Sequence, residues 1–234
     1  MTANRAILMP MNDRSAAILE AVIEEFISTG EPVSSAMLYE NHDFGIKPAM
    51  IRLELEELEK GGFLEQPHHS AGRAPTDKGY EFFAERALEI QPRRNQDANK
   101  NSIRDLFEKS AWRDLLSEFS SELGILGVVA DFANNTVYKT GLPGLVERLD
   151  SEDRGEISDV IRDFEEMDEQ LPRATKKIGA GPKVFIGKKN PVMKSKNLSV
   201  VGGNYKVRGT EVTILAIGPK RMDYRKTIRI FKSL

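Results

Sequence analysis

The 234-residue chain contains no cysteine, which excludes disulfides, thiolate zinc sites and cysteine nucleophiles. Long apolar runs are also missing. Runs such as Ile214 to Ile217 fall far short of the roughly 20 residues that a membrane-spanning helix needs. The opening stretch MTANRAILMPMNDR has neither the apolar core nor the small-residue cleavage site of a signal peptide, so a cytoplasmic protein with no membrane partner is expected. No phosphate-binding loop, G-x-S-x-G elbow, H-E-x-x-H pair or dinucleotide fingerprint occurs. Paired carboxylates abound on helical stretches, where at this density they read as solvated faces. The expectation is a non-enzyme with no cofactor and no metal. What is present is globular: 40% apolar and 30% charged residues exclude a wholly disordered chain, and the length suits one large domain or two small ones.

The formal net charge of −2 conceals a segregation. Residues 1–90 carry 8 Lys/Arg against 16 Asp/Glu, and residues 91–172 carry 10 against 18. Residues 173–234 carry 16 against 2. Such segregation suits a polyanionic partner for the basic segment, or docking of that segment against the acidic body. The lysines at 176, 177, 183, 188, 189, 194 and 196 also fit the solvated face of a sheet.

The N-terminal pattern is helical. Ile18, Leu19, Val22, Ile23, Phe26 and Ile27 mark one face of an amphipathic helix, with Asp13 as its expected N-cap and Gly30-Glu31-Pro32 as its stop. Ser34 is expected to cap a second short helix ending near Asn41. A third starts with Pro48 in its first turn, buries Ile51, Leu55 and Leu58, and stops at Gly61-Gly62. Phe63-Leu64 reads as the start of a strand, residues 67–75 as a wing-like loop, and Thr76 as the cap of a helix with Tyr80, Phe83, Ala84, Ala87 and Leu88 on its apolar face. Three short helices fit a helix-turn-helix, whose last helix can enter a major groove, or a small helical bundle. A hairpin directly after the third helix points to the winged form.

Two stretches carry a resemblance. Residues 27–35 (ISTGEPVSS), Ala49-Met50-Ile51-Arg52, Leu58-Glu59 and residues 66–80 (QPHHSAGRAPTDKGY) lie near the N-terminus. Val184-Phe185-Ile186-Gly187 and residues 218–224 (GPKRMDY) lie near the other end. Together they resemble the HrcA family of heat-inducible transcription repressors, strongly over residues 11–90 and 175–234 and weakly between. The resemblance implies an α+β protein: an N-terminal winged helix-turn-helix followed by a reduced GAF-like α+β domain. The expected boundaries are a DNA-binding domain at 1–90, a linker at 91–110 and a truncated regulatory and dimerisation domain at 111–234. Members of the family are longer, and the shortfall falls in the middle, where they carry a GAF-like domain interrupted by a dimerising insertion.

The sequence departs from the family at the presumed recognition helix. Lys47-Pro48 replaces two serines, Met50 stands where a threonine is usual, and Leu53 where an asparagine is common. Lys47 offers a phosphate contact, and Met50 offers only apolar contact, for example to a thymine methyl. The candidate DNA-contacting residues are Lys47, Ala49, Met50, Arg52, His68, His69, Ser70, Arg73 and Lys78. Arg73 fits a minor groove or a phosphate. Arg52 suits either DNA contact or an i, i+4 pair with Glu56. Adjacent His68 and His69, without nearby carboxylates or cysteines, make a poor metal site. The net negative count of residues 1–90 opposes phosphate approach unless the acids point away from the segments facing DNA.

Further along, residues 111–134 are expected to supply a helix with Trp112, Leu115, Leu116 and Phe119, then an apolar stretch Ile125 to Ala130. Residues 142–172 read as an acidic helical segment, and after Pro172 the pattern turns to strands: Lys183 to Ile186, Leu198 to Tyr205 and Glu211 to Ile217. The last strand is expected to be buried on both faces, and Tyr224, Ile228 and Phe231 to line a closing helix. Asp223 beside Arg221 reads as part of a strand-to-helix turn. The resemblance implies a homodimer on an inverted-repeat operator in double-stranded DNA upstream of chaperone genes, held active by a GroEL-type chaperonin. Two other classes compete: a small-ligand-responsive regulator, and a winged-helix protein-interaction module.

Overall fold

The computed structural model describes residues 11–68, 71–91, 98–149 and 154–234. The chain is α+β, and it divides into two compact units, Met1–Phe83 and Ala84–Leu234.

The first unit contains α1 (Asp13–Thr29), α2 (Ser35–Asn41), α3 (Pro48–Lys60), β1 (Leu64–Glu65) and β2 (Ala74–Pro75). α4 (Asp77–Glu89) begins in this unit and ends in the second. α1 is capped by Asn12, whose side chain accepts the Ser15 N–H, and not by Asp13, which occupies the first helical position. Asparagine and aspartate cap about equally well. With Asn12 as the cap, Asp13 keeps its charge in the first turn, where the helix dipole favours it. Ser34 caps α2 by accepting the Met37 N–H. Pro48 opens α3, where its missing N–H costs no hydrogen bond. Ile18, Leu19, Val22 and Ile23 of α1, Leu38 of α2 and Ile51, Leu55 and Leu58 of α3 form the core, each less than 5% exposed.

The second unit holds α5 (Ala98–Glu108), α6 (Trp112–Leu123), β3 (Leu126–Asp131), β4 (Thr136–Thr140), α7 (Leu142–Val146) and α8 (Arg154–Ile178). β5 (Lys183–Ile186), β6 (Leu198–Val207), β7 (Thr210–Pro219) and α9 (Tyr224–Phe231) complete it. The strands form an antiparallel sheet in the order β4-β3-β7-β6-β5. β7 is central and buried on both faces over Val212 to Ile217, as its continuous apolar run predicts. Leu126, Val128, Leu215, Ile217, Leu198 and Val200 share a core with Val160, Met167, Leu171, Ala174 and Ile178 of α8. On the opposite face, Phe119 of α6 packs 5.7 Å from Phe231 of α9. The β6–β7 turn places Arg208 and Gly209 at φ 50° and 84°, the left-handed pair that a two-residue hairpin requires.

Two stretches differ from the sequence expectation. α8 continues through Pro172 to Ile178. Met167, Leu171, Ala174 and Ile178 stay on one buried face, each at most 1% exposed, and this packing outweighs the roughly 3 kcal/mol that an interior proline costs. In the stretch read as linker, α5 buries Ile103 and Phe107. Phe107 makes edge contacts with Trp112 and Tyr205 at 6.1 and 5.9 Å. The polar composition of that stretch hides two anchors spaced i, i+4.

Candidate nucleic-acid interface

The candidate residues of the first unit fall into two groups. Lys47, Ala49, Met50 and Arg52 lie on the first turns of α3 and are exposed. Lys47 precedes Pro48 and makes no capping hydrogen bond with its side chain. Arg52 forms no ion pair with Glu56. Leu53, one turn on from Ala49, is also exposed, at 52%. The opposite face of α3 is fixed by Ile51, Leu55 and Leu58, and so the outward face is determined by what the helix buries.

The hairpin is built differently. β1 and β2 pair antiparallel through Leu64↔Pro75 and Glu65↔Ala74. Val33, between α1 and α2, adds a bridge to Arg73: its N–H donates to the Arg73 carbonyl at 2.9 Å, and the Arg73 N–H donates back at 2.8 Å. Gly72 makes this bridge possible, since a Cβ there would lie 2.4 Å from the Val33 carbonyl carbon and oxygen. Gly79 is needed on the same grounds, because a Cβ would lie 2.4 Å from the Phe63 carbonyl oxygen. Across the hairpin tip the Gln66 amide donates to the Ala71 carbonyl at 3.0 Å, and His68 is exposed. His69 and Ser70 lie outside the described residues.

Arg73 and Lys78 are engaged within the unit. An Arg73 Nη lies 2.8 Å from the Glu59 carboxylate, with the arginine side chain only 14% exposed. The ammonium of Lys78 donates to the Gly61 carbonyl at 2.7 Å and sits 4.1 Å above the Phe63 ring. It therefore holds the end of α3 against the start of α4. Glu59, the Val33 backbone and the Gly61 carbonyl carry no signal in the sequence as members of this assembly, because each acts through a partner remote in the chain.

Some of the acidic residues that count against phosphate approach are fasteners. Glu54 accepts the Ser15 hydroxyl at 2.6 Å and pairs with Arg14 at 3.1 Å, tying α3 to α1. Glu25 accepts from the Asn41 amide at 3.1 Å and lies 3.1 Å from the His42 ring, tying α1 to α2. Glu57 pairs with Lys60. The first turn of α3 carries no acid.

The second unit offers a cleft of about 370 Å³, lined by Trp112, Asp131, Asn134, Tyr138 and Arg208 among others. Asp131 is 6% exposed, and its carboxylate accepts the backbone N–H and side-chain amide of Asn134 at 3.1 and 2.8 Å. Asp223 caps α9 by accepting the Lys226 N–H at 2.8 Å, so the Gly218–Tyr224 stretch is a strand-to-helix turn. Among the described residues, no three His, Asp or Glu side chains gather as a metal site, and no helix is long and apolar enough to cross a membrane.

Comparison with known proteins places these features. The chain is similar to the heat-inducible transcription repressor HrcA of Thermobifida fusca, 48% identical over 82 residues, which are 35% of this chain and 24% of that protein. The repressor of the same name from Kineococcus radiotolerans is 43% identical over 97 residues, 42% of this chain and 28% of that protein. The one from Alkaliphilus metalliredigens is 38% identical over 116 residues, 49% and 33% of the two chains. The matched segments thus span a third or less of these relatives. A crystal structure of a hypothetical protein at 2.2 Å resolution shares the fold, with a TM-score of 0.72 over 95% of this chain and 94% of that one at 17% identity. The family model for the HrcA protein C-terminal domain matches residues 83–228, more than half of the chain, and the chain belongs to the HrcA family.

Proposed function

We propose that the protein is a DNA-binding transcriptional repressor of heat-shock genes, acting without catalysis. In this reading residues 1–90 form a winged helix-turn-helix, with α3 entering the major groove and the hairpin as the wing. A connecting segment before α5 leads to a reduced GAF-like domain that includes α5 and runs to residue 234. The observation that carries the reading is the composition of the outward face of α3. Lys47 and Arg52 are exposed at its start and its first turn carries no acid, while Glu54 and Glu59 are drawn into internal pairs. Lys47, Ala49, Met50, Arg52, His68, His69 and Ser70 form the contact surface, and Arg73 and Lys78 contribute by holding the hairpin in place.

The reading includes a dimer on an inverted-repeat operator in double-stranded DNA, which membership of the family supports. It also includes tuning by a GroEL-type chaperonin, which requires a fold marginal enough that one or two kcal/mol changes the active fraction several-fold. Fluorescence anisotropy of the full chain tests the reading, using a duplex from upstream of its own chaperone operon and a scrambled duplex across a salt series. The expected result is tight binding to the inverted repeat alone, with Lys47→Ala and Arg52→Ala each reducing the salt slope by about 1. Equal, salt-independent binding to both duplexes overturns it.

A second reading, a ligand-responsive regulator, is favoured by the cleft at Asp131, where a buried carboxylate, two aromatic rings and Arg208 converge. A thermal-shift screen of small polar metabolites tests it. A shift that Asp131→Asn abolishes supports it, and no shift across the screen counts against it.

A further inference from the structure

The first two turns of α3 present large apolar side chains outward. Met50 is 45% exposed and Leu53 is 52% exposed, while Ile51, Leu55 and Leu58 of the same helix are buried. At 100° per residue, Ala49 and Leu53 occupy the centre of the outward face, opposite that buried stripe, and Met50 and Arg52 flank them. Lys47 and Arg52 are exposed cations at this end. Glu56 and Glu57 follow one turn further on, where Glu57 pairs with Lys60 at 2.7 Å. Charge complementarity therefore admits a polyanion over residues 47–53 and opposes it beyond Glu56.

A helix that reads base edges ordinarily does so with amide, guanidinium or carboxylate groups matched to the donors and acceptors in the groove. Ala49, Met50 and Leu53 have none of these. Major-groove base edges offer one apolar group, the 5-methyl of thymine. Exposing two large apolar side chains on an otherwise charged helix carries a hydration cost that burial against such methyls would remove. We propose that Ala49, Met50 and Leu53 form an apolar surface that reads the 5-methyl groups of adjacent thymines in duplex DNA, with Arg52 supplying the hydrogen-bonded contact beside them. This rests on the DNA-binding reading above and adds the base class that the site selects.

The test compares thymine with uracil. Duplexes are selected from a random library with the full chain. The selected duplex is then remade with deoxyuridine at each thymine, which removes the methyl and keeps base pairing and phosphates. Fluorescence anisotropy should show affinity falling about fourfold for each contacted methyl, with the salt slope unchanged. Leu53→Asn, which leaves the core untouched, should lower the uracil sensitivity and move the selected consensus away from thymine. A selected duplex whose affinity is unchanged by uracil overturns the methyl reading and leaves DNA binding standing. Failure to enrich any duplex, with no salt-dependent binding, overturns both.

Discussion

The guanidinium of Arg73 lies 2.8 Å from the carboxylate of Glu59, so a single ion pair joins the hairpin to the last turn of α3. The Arg73 Nε is buried and makes no hydrogen bond, and the backbone of the same residue pairs with Val33 on both sides. The Gly72-Arg73 pair thus has an architectural role: Gly72 lets two backbone segments touch, and Arg73 ties them to α3.

Removing either partner of the ion pair should destabilise the first unit. Glu59→Ala leaves a largely buried guanidinium uncompensated, and Arg73→Ala frees a carboxylate that is 36% exposed. Because the pair is partly solvated, about 1–2 kcal/mol is expected for each single substitution. The double variant should lose less than the sum. Urea unfolding followed by circular dichroism measures this, and additive losses would mean that the pair contributes no coupling.

Lys78→Met keeps the aliphatic stem and removes the ammonium. The bond to the Gly61 carbonyl and the contact with the Phe63 ring are lost, at a cost of about 1 kcal/mol. The salt slope of DNA binding should stay the same, because the ammonium is already occupied. A slope lowered by about 1 would instead place Lys78 on a phosphate.

In the second unit, Tyr224 donates its hydroxyl proton to the Lys220 carbonyl at 2.6 Å, so the Ser199 hydroxyl, 2.7 Å away, donates to the Tyr224 oxygen. Tyr224→Phe strands the buried Ser199 hydroxyl and should cost about 1–3 kcal/mol. Adding Ser199→Ala should recover part of the loss. Thermal unfolding of the two singles and the double resolves the cycle, and no recovery would show that the serine finds another partner.

Tyr205 sets an alkaline limit. Burial pushes its phenol well above the usual tyrosine range, and the hydroxyl donates to the Phe231 carbonyl at 3.1 Å. The folded state holds this proton after the unfolded chain begins to release it near its ordinary pKa of about 10. Stability is therefore unaffected by this group below that pH, and falls above it by up to about 1.4 kcal/mol per pH unit. Denaturant titrations at pH 9, 10 and 11 should show the fall, and Tyr205→Phe should flatten it. An equal fall in the variant would assign the loss to other groups.

Much of this protein was legible in its residue pattern. The faces of α1 and α3, the Pro48 start, the Ser34 cap and the two-faced burial of β7 all follow from local rules. Side-chain periodicity and turn chemistry act within a few residues, and there the sequence is a sufficient guide. The tertiary structure decided what depends on remote partners. It carried α8 through Pro172, because a buried stripe outweighed a local defect. It turned a polar stretch into α5 through Ile103 and Phe107. It drew Arg73 and Lys78 into the hairpin's own support. Each of these outcomes is fixed by contacts between residues far apart in sequence, which no local pattern encodes.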